Sequence, residues 1–240
     1  NTSPIYSKPS KAMSYQSISE VNVMGTIKLL TAATKANVRR FVYAASSSAY
    51  GDQDVPVKDE ILMPRPLSPY AAAKLAGEFF CQAYSRSMGL ETVGLRYFNV
   101  FGPRQDPTSQ YSAVIPRFIT AIIEGQQPII YGDGLQTRDF TYVANNVQAN
   151  ILAATTKKPV SGRVINIACG TSFSLLDLLT AINQSLEKKI EPIFSAFRKG
   201  DVKHSLADIK CGRDLLDYEV KVDFYEGIRR TVMWYLKLKC

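Results

Sequence analysis

Three residues, Ser46, Tyr70 and Lys74, have the types and the spacing that proton chemistry requires. Tyr70 and Lys74 are four residues apart, so on a helix they lie on one face. A phenol has a pKa of about 10, and a nearby ammonium group favours its ionised form and lowers that pKa. A tyrosinate held in this way can accept a proton from an alcohol whose oxygen also binds a serine hydroxyl. The accompanying hydride has no acceptor in the protein, so this chemistry requires a nicotinamide.

A strand and a helix are predicted to position these residues. The apolar run Phe41–Ala45 contains β-branched and aromatic residues, which is typical of a buried strand, and it leads directly into Ser46–Ser48. The carboxyl ends of strands are where open α/β sheets bind ligands. Ser68 followed by Pro69 predicts an N-cap and a first helical turn, and we expect the helix to extend from 69 to 88.

The Tyr-x-x-x-Lys spacing alone is weak, because it recurs by chance on exposed helices. Its context is more specific. Residues 41–74, FVYAASSSAYGDQDVPVKDEILMPRPLSPYAAAK, resemble the active-site segment of extended short-chain dehydrogenases/reductases, and within them the nucleotide-sugar 4-epimerases. Three further segments match that family in the same order: LRYFNVFGPRQ (95–105), GDGLQTRDFTYV (132–143) and RKGDVKHSLADI (198–209). The resemblance covers nearly the whole chain and is strongest to bacterial-type UDP-N-acetylhexosamine 4-epimerases.

The resemblance implies NAD as cofactor and a UDP-sugar as substrate. The implied catalytic residues are Ser46, Tyr70, Lys74 and Asn22, the last of which would support the lysine and the cofactor. The implied cofactor contacts are Tyr70, Lys74, Asn22, Val100 and Ala44. The implied substrate contacts are Ser7, Ser46, Ser47, Asn99, Ala113, Val114, Phe118, Tyr131, Arg138, Arg198, Asp201 and Ser205.

Some of these residues also have purely structural interpretations. Asn99 could cap a turn, and Phe118 could belong to the core. Arg138 and Arg198 could be solvated surface charges, although the planar guanidinium suits a diphosphate. By resemblance, the small Ser205 leaves room for an N-acetyl group at C2 of the sugar. The single histidine, His204, is interpreted as structural.

Composition limits the classes of function. The chain has 240 residues, 46% hydrophobic and 21% charged, which is typical of a globular protein. Its net charge of +8 comes from dispersed basic residues, so it suits a diphosphate ligand better than nucleic acid. Neither the four cysteines nor the histidine have metal-ligand spacing, and we interpret the cysteines as free thiols in a reducing cytoplasm. No apolar run is long enough for a membrane span.

These patterns predict an α/β fold with a doubly wound, Rossmann-like parallel sheet and a smaller C-terminal α/β substrate domain. We assign residues 1–102 to the NAD-binding domain and 103–240 mainly to nucleotide-sugar binding, with some segments returning to the sheet. No G-x-G-x-x-G follows a predicted strand, so we expect an N-terminally truncated fragment; the alternative is a short protein with a weakened hold on its cofactor. Helices are predicted at 15–37, 69–88, 113–124 and 222–239, and the resemblance implies that the first two form a homodimer interface.

The expected reaction is reversible C4 epimerisation of UDP-GlcNAc and UDP-GalNAc, or of their uronates. UDP-glucose and UDP-glucuronate 4-epimerases remain alternatives. The family resemblance implies that dehydratases and decarboxylases of the superfamily have an acidic residue after the strand-end serine or threonine. This chain has Ser47, Ser48 and Ala49 there, so no extra acid is available for those reactions. A protein that binds nucleotide sugars without catalysis is the alternative from another class.

Overall fold

The computed structural model describes residues 15–106, 114–197 and 202–238. The α-helices in these ranges are α1 Tyr15–Ser19, α2 Gly25–Lys35, α3 Pro69–Met88, α4 Val114–Ile123, α5 Val143–Thr155, α6 Leu175–Ser185, α7 Lys210–Leu216 and α8 Phe224–Lys237. The strands are β1 Arg40–Ser46, β2 Glu91–Tyr97, β3 Val100–Phe101, β4 Ile129–Tyr131, β5 Thr137–Arg138, β6 Thr141–Tyr142, β7 Arg163–Ile167, β8 Phe173–Ser174, β9 Ile193–Ser195 and β10 His204–Ser205. A π-helix, Glu20–Met24, joins α1 to α2, and a 3-10 turn, Ser47–Tyr50, follows β1.

The main sheet is parallel and has the strand order β1-β2-β7. Its central strand is covered on both faces, because successive residues of β2 contact different helices. Val93 and Leu95 pack in one apolar cluster with Ala149 and Ala153 of α5. On the other face, the Thr92 hydroxyl donates a hydrogen bond to the Cys81 carbonyl of α3. The predicted Rossmann-like α/β fold is therefore confirmed.

Helix α3 has the predicted bounds. The Ser68 hydroxyl accepts a hydrogen bond from the Ala71 amide at 3.1 Å, which is the expected N-cap contact. Gly89 ends the helix with a φ of 70°, a left-handed conformation that favours glycine. The predicted helix 15–37 is also present, but it contains the π-helix and ends at Lys35.

The later part of the chain forms three small sheets, β10-β5-β8, β3-β6 and β4-β9, around a large apolar cluster. Strand β7 lies in this part of the sequence but pairs with β2, so a later segment does return to the main sheet. No helix within the described ranges is long and apolar enough to cross a membrane. The thiols of Cys81, Cys169 and Cys211 are free.

Candidate active site

Ser46 is the last residue of β1, and its side chain is almost completely buried. Its Oγ lies 2.8 Å from the Ser48 Oγ and accepts a hydrogen bond from the Ser48 amide at 3.2 Å. These contacts cap the 3-10 turn that begins at Ser47, which is itself half-buried. The hydroxyl is therefore held at the carboxyl edge of the sheet, where the sequence predicts it.

A close approach between α3 and β1 brings Tyr70 and Lys74 to the same edge. Gly77 makes this possible, because a Cβ at that position would lie 2.2 Å from the Tyr43 hydroxyl oxygen. The Tyr43 hydroxyl instead donates a hydrogen bond to the Lys74 carbonyl at 3.2 Å. A buried tyrosine of the strand thus occupies the space that glycine leaves, and the helix is held tightly against β1.

The Lys74 ammonium group faces the strand. Its Nζ donates a hydrogen bond to the Ala44 carbonyl at 3.0 Å and lies 5.4 Å from the centroid of the Tyr43 ring. Ala44 is exposed on β1, next to the buried Ala45. Burial lowers the pKa of Lys74 because desolvation disfavours the charged amine.

The Tyr70 phenol does not have the lowered pKa that the sequence predicts. Burial raises its pKa, and the Ser46 hydroxyl, acting as its hydrogen-bond partner, lowers it by a smaller amount. The prediction of a lowered pKa is wrong for this structure, because desolvation outweighs the stabilisation of the phenolate. The predicted proximity of Tyr70 to Ser46 is nevertheless present.

A buried ion pair, which sequence reasoning missed, fixes α3 against β2. The Arg96 guanidinium donates two hydrogen bonds to the Glu78 carboxylate, at 3.0 and 2.7 Å. The same guanidinium lies over the Tyr50 ring, 4.6 Å from its centroid, and Tyr50 closes the serine turn. Arg96 therefore contacts both the helix that carries Tyr70 and the turn that follows Ser46. Glu78 lies eight residues after Tyr70, about two turns along the same helix, and a carboxylate among the apolar residues of that helix was the available sequence signal.

Asn22 lies in the π-helix and is half-buried. Its side-chain amide donates a hydrogen bond to the Ile18 carbonyl at 3.1 Å, and its own carbonyl accepts one from the Thr26 hydroxyl at 2.7 Å. π-helical turns are rare and occur frequently at functional sites. The supporting role assigned to Asn22 stays a prediction.

The second group of predicted residues surrounds the loop after β2. Asn99 has a φ of 34°, and its side-chain amide donates a hydrogen bond to the Asp139 carbonyl at 3.3 Å. Val100, which is half-buried, pairs with Thr141 between β3 and β6. Arg138 and Ser205 are directly opposite one another in the pairing of β5 with β10. The structure thus brings Asn99, Arg138 and Ser205 into one neighbourhood.

Other predicted substrate residues have different outcomes. Phe118 is 3% exposed within the large apolar cluster, so it has the core role that the sequence analysis gives as its alternative, and its assignment as a ligand contact stays a prediction. Its helix turns its apolar face inward, which leaves Val114 partly buried against the same cluster. Tyr131 is half-buried on β4. Ser7, Ala113, Arg198 and Asp201 lie outside the described residues.

His204 has the structural role that the sequence predicts. Its Nδ1 lies 3.0 Å from the Thr137 hydroxyl, across the pairing of β10 with β5. The imidazole is exposed and belongs to the small sheet, whereas Tyr70 lies on α3 at the end of β1.

Comparison with known proteins identifies similar chains. The model of the NAD dependent epimerase/dehydratase family matches residues 6–168. A putative UDP-glucose 4-epimerase of Methanocaldococcus jannaschii is 38% identical over 216 residues, which are 90% of this chain and 69% of that protein. A UDP-N-acetylglucosamine 4-epimerase from Methanobrevibacter ruminantium M1, solved in complex with UDP-N-acetylmuramic acid, is 40% identical with a TM-score of 0.87 over 96% of this chain and 76% of its own. The UDP-glucuronic acid 4-epimerase from Bacillus cereus, solved with UDP-glucuronic acid and NAD, is 35% identical with a TM-score of 0.83 over 90% of this chain and 68% of its own.

Proposed function

Because this chain belongs to the NAD dependent epimerase/dehydratase family, we propose that it interconverts UDP-GlcNAc and UDP-GalNAc, or their uronates, by inversion at C4. The observation that carries the proposal is the convergence of Ser46, Tyr70 and Lys74 at the carboxyl end of β1. A hydroxyl, a phenol and an ammonium group gathered there form the proton-transfer half of an alcohol oxidation.

The residues at this edge fit a nicotinamide dinucleotide. An ammonium group has three N–H donors, and in the described part of the chain Lys74 uses one of them, on the exposed Ala44. The remaining donors suit the hydroxyls of a ribose. Tyr70, Lys74, Asn22, Val100 and Ala44 would hold the cofactor. When bound, NAD would supply the hydride acceptor for oxidation at C4 and the hydride donor for reduction from the opposite face.

The chain's own residues hold and move the proton. The Ser46 hydroxyl binds the C4 oxygen and orients it toward Tyr70, whose pKa it already lowers. Tyr70 as phenolate removes the proton from that oxygen and donates it back after inversion. Lys74 stabilises the phenolate with its positive charge, and the buried setting increases the effect of that charge.

The nucleotide part of the substrate is held by the later half of the chain. We assign its diphosphate to Asn99, Arg138 and Arg198, and a ribose hydroxyl to Asp201, with residues 103–240 as the substrate domain. Ser7, Ser47, Ala113, Val114 and Tyr131 complete the proposed contacts. Binding energy remote from C4 then retains the oxidised sugar between the two hydride transfers.

Two observations support an N-acetylhexosamine as the sugar. Ser205 has a small side chain opposite Arg138, which leaves room for a C2 substituent. A structural neighbour that is 40% identical is described as a UDP-N-acetylglucosamine 4-epimerase. UDP-glucose and UDP-glucuronic acid are bound by other neighbours of similar fold, so both belong in the assay.

The proposal includes a homodimer formed by the helices in 15–37 and 69–88. These helices expose large apolar side chains: Val21, Met24, Leu29, Phe79 and Met88. Phe79→Glu is expected to convert the dimer to a monomer in size-exclusion chromatography with light scattering. Phe194→Glu is the matched control, because Phe194 is equally exposed but lies on β9. A dimer that survives Phe79→Glu would refute this interface.

The test of function is incubation with NAD and each of UDP-GlcNAc, UDP-glucose and UDP-glucuronate, followed by separation of the C4 epimers. Tyr70→Phe is expected to reduce turnover by about 10²–10⁴-fold while nucleotide affinity is retained. Tyr84→Phe is the control, because Tyr84 lies on the same helix about 21 Å along the axis and bonds Thr31. No turnover of any sugar, with binding retained, would favour the non-catalytic alternative.

A further inference from the structure

Asp139 follows β5 directly, and its carboxylate is completely buried. One oxygen, Oδ1, accepts a hydrogen bond from the Cys169 amide at 2.8 Å. The other, Oδ2, accepts bonds from the Gly170 amide at 3.0 Å and the Ala207 amide at 3.3 Å. Within the described ranges no lysine or arginine forms an ion pair with it, so backbone N–H groups alone stabilise its charge.

The donors come from the two segments that flank β5 in its sheet. Cys169 and Gly170 precede β8, and Ala207 follows β10. All three strands of this sheet are two residues long, so their ladders contain few hydrogen bonds. The carboxylate adds three hydrogen bonds at the point where both neighbouring segments meet β5. These three hydrogen bonds therefore help to hold the small sheet together, as longer strand ladders do in larger sheets.

The same residue also contacts the loop after β2, because its main-chain carbonyl accepts the hydrogen bond from the Asn99 side chain. Arg138 is its immediate neighbour, and Ser205 is two residues before Ala207. Three residues assigned above to the nucleotide sugar are thus connected through Asp139.

We propose that Asp139 is a positioning residue that fixes Asn99, Arg138 and Ser205 relative to one another and so sets the affinity for the nucleotide sugar. This inference rests on the proposed function. Asp139 does not touch the substrate, since it is fully buried. Aspartate is needed because two acceptor oxygens serve three donors. Asparagine has one acceptor oxygen, so its NH2 group would face either the Cys169 amide or the amides of Gly170 and Ala207.

The ionisation of Asp139 provides an independent readout. Burial raises the pKa of Asp139 to about 7, while its three backbone donors lower it by less. Protonation replaces an acceptor by an O–H donor, which opposes the amides it faces. Among the described residues, the titratable groups that face it are the Cys169 thiol and the Tyr218 phenol, and burial raises the pKa of both, so they stay neutral near pH 7. Affinity for the nucleotide sugar is therefore expected to fall as the pH decreases from 8 to 6.

The experiment measures the Kd of UDP-GlcNAc by calorimetry at pH 8 and pH 6, together with kcat, KM, NAD content and melting temperature. The diphosphate diester of a nucleotide sugar does not titrate in this range, so a pH effect arises from the protein. Asp139→Asn is expected to weaken binding about tenfold at pH 8 and to remove the pH effect. KM should rise with little change in kcat and none in NAD content.

Two further variants keep the test decisive. His204→Gln is the control on the neighbouring strand, because it removes the exposed imidazole, and it should keep the pH effect. If Asp139→Asn does not fold, Ala207→Pro removes a single donor. The contact of this segment with Lys58 uses the Leu206 carbonyl and the Asp208 amide, so it does not need the Ala207 amide.

The outcomes separate this inference from the proposed function. Wild-type affinity in folded Asp139→Asn or Ala207→Pro would overturn the inference. A folded variant that loses NAD and kcat together with affinity would also overturn it, because that pattern indicates a general structural role. If the wild-type protein neither binds nor converts a UDP-sugar, the proposed function itself fails.

Discussion

Replacement of Arg96 by methionine tests whether a buried charge pair holds the candidate active site. The side chains of Arg96 and Glu78 are 5% and 1% exposed, and two hydrogen bonds join them. Methionine has a similar length but leaves the Glu78 carboxylate buried without a cation. Breaking a buried pair in this way costs about 3–5 kcal/mol. Arg96→Met should therefore lose about that much free energy of unfolding in urea denaturation.

The double variant Arg96→Met/Glu78→Met separates stability from catalysis. Removing both charges abolishes the desolvation cost, so its free energy of unfolding should be near that of the wild type or above it by up to about 1–4 kcal/mol. The Arg96 guanidinium, which joins α3 to β2 and contacts the Tyr50 ring, is nevertheless lost. We expect kcat to fall in this stable variant, because Tyr70 is no longer held relative to Ser46.

A matched control is available on α8, where Arg230 and Glu226 form an exposed pair. Arg230→Met should change stability much less, since water screens exposed charges. The reasoning is refuted if Arg96→Met loses less than about 1 kcal/mol, which would mean that water reaches Glu78. A double variant as unstable as the single one, or with wild-type kcat, would also refute it.

Three further perturbations address the same helix. Ser68→Ala removes the N-cap and should lower the free energy of unfolding in urea by about 1 kcal/mol. We also expect a lower kcat, because the first turn of the helix carries Tyr70. Unchanged stability would contradict the capping role. Gly77→Ala places a methyl group 2.2 Å from the Tyr43 hydroxyl and should lower the free energy of unfolding by about 1–3 kcal/mol. Unchanged stability would show that the helix can move away from β1 without cost. Because burial raises the pKa of Tyr70, kcat/KM should increase with pH. Lys74→Met removes a nearby positive charge and should shift that increase to higher pH. An unshifted pH profile would exclude a charge effect of Lys74 on Tyr70.

The elements that carry the candidate site were predictable because their signals are local. Ser68 and Pro69 mark the start of α3, and Gly89 its end, so the sequence predicts the observed bounds. The strand that ends at Ser46 is likewise an apolar run followed by small polar residues. The π-helix at Glu20–Met24 was not predictable in this way, because apolar spacing does not reveal one extra residue in a turn.

The contacts that hold the site together were not predictable, because they join residues far apart in the chain. Arg96 lies on β2, and its partner Glu78 lies on α3, 18 residues away. The amides that bind Asp139 come from backbone about 30 and 68 residues later, and a backbone amide has no side-chain signal. Phe118 could be placed in the core from the sequence as one of two interpretations, because it lies on the apolar face of a predicted helix, and the structure shows it in the core cluster.

Both the local sequence spacing and the burial in the folded structure bear on the pKa of Tyr70. Sequence spacing predicts that the Lys74 ammonium group lowers it, whereas burial in the structure raises it and lowers the pKa of Lys74. Desolvation thus disfavours the charged form of each partner. The same dry surroundings reduce the effective dielectric constant, so any charge or hydrogen bond that reaches the phenol acts on it more strongly than in water. The burial that disfavours the phenolate is therefore also expected to strengthen the effects of Ser46 and Lys74 on it.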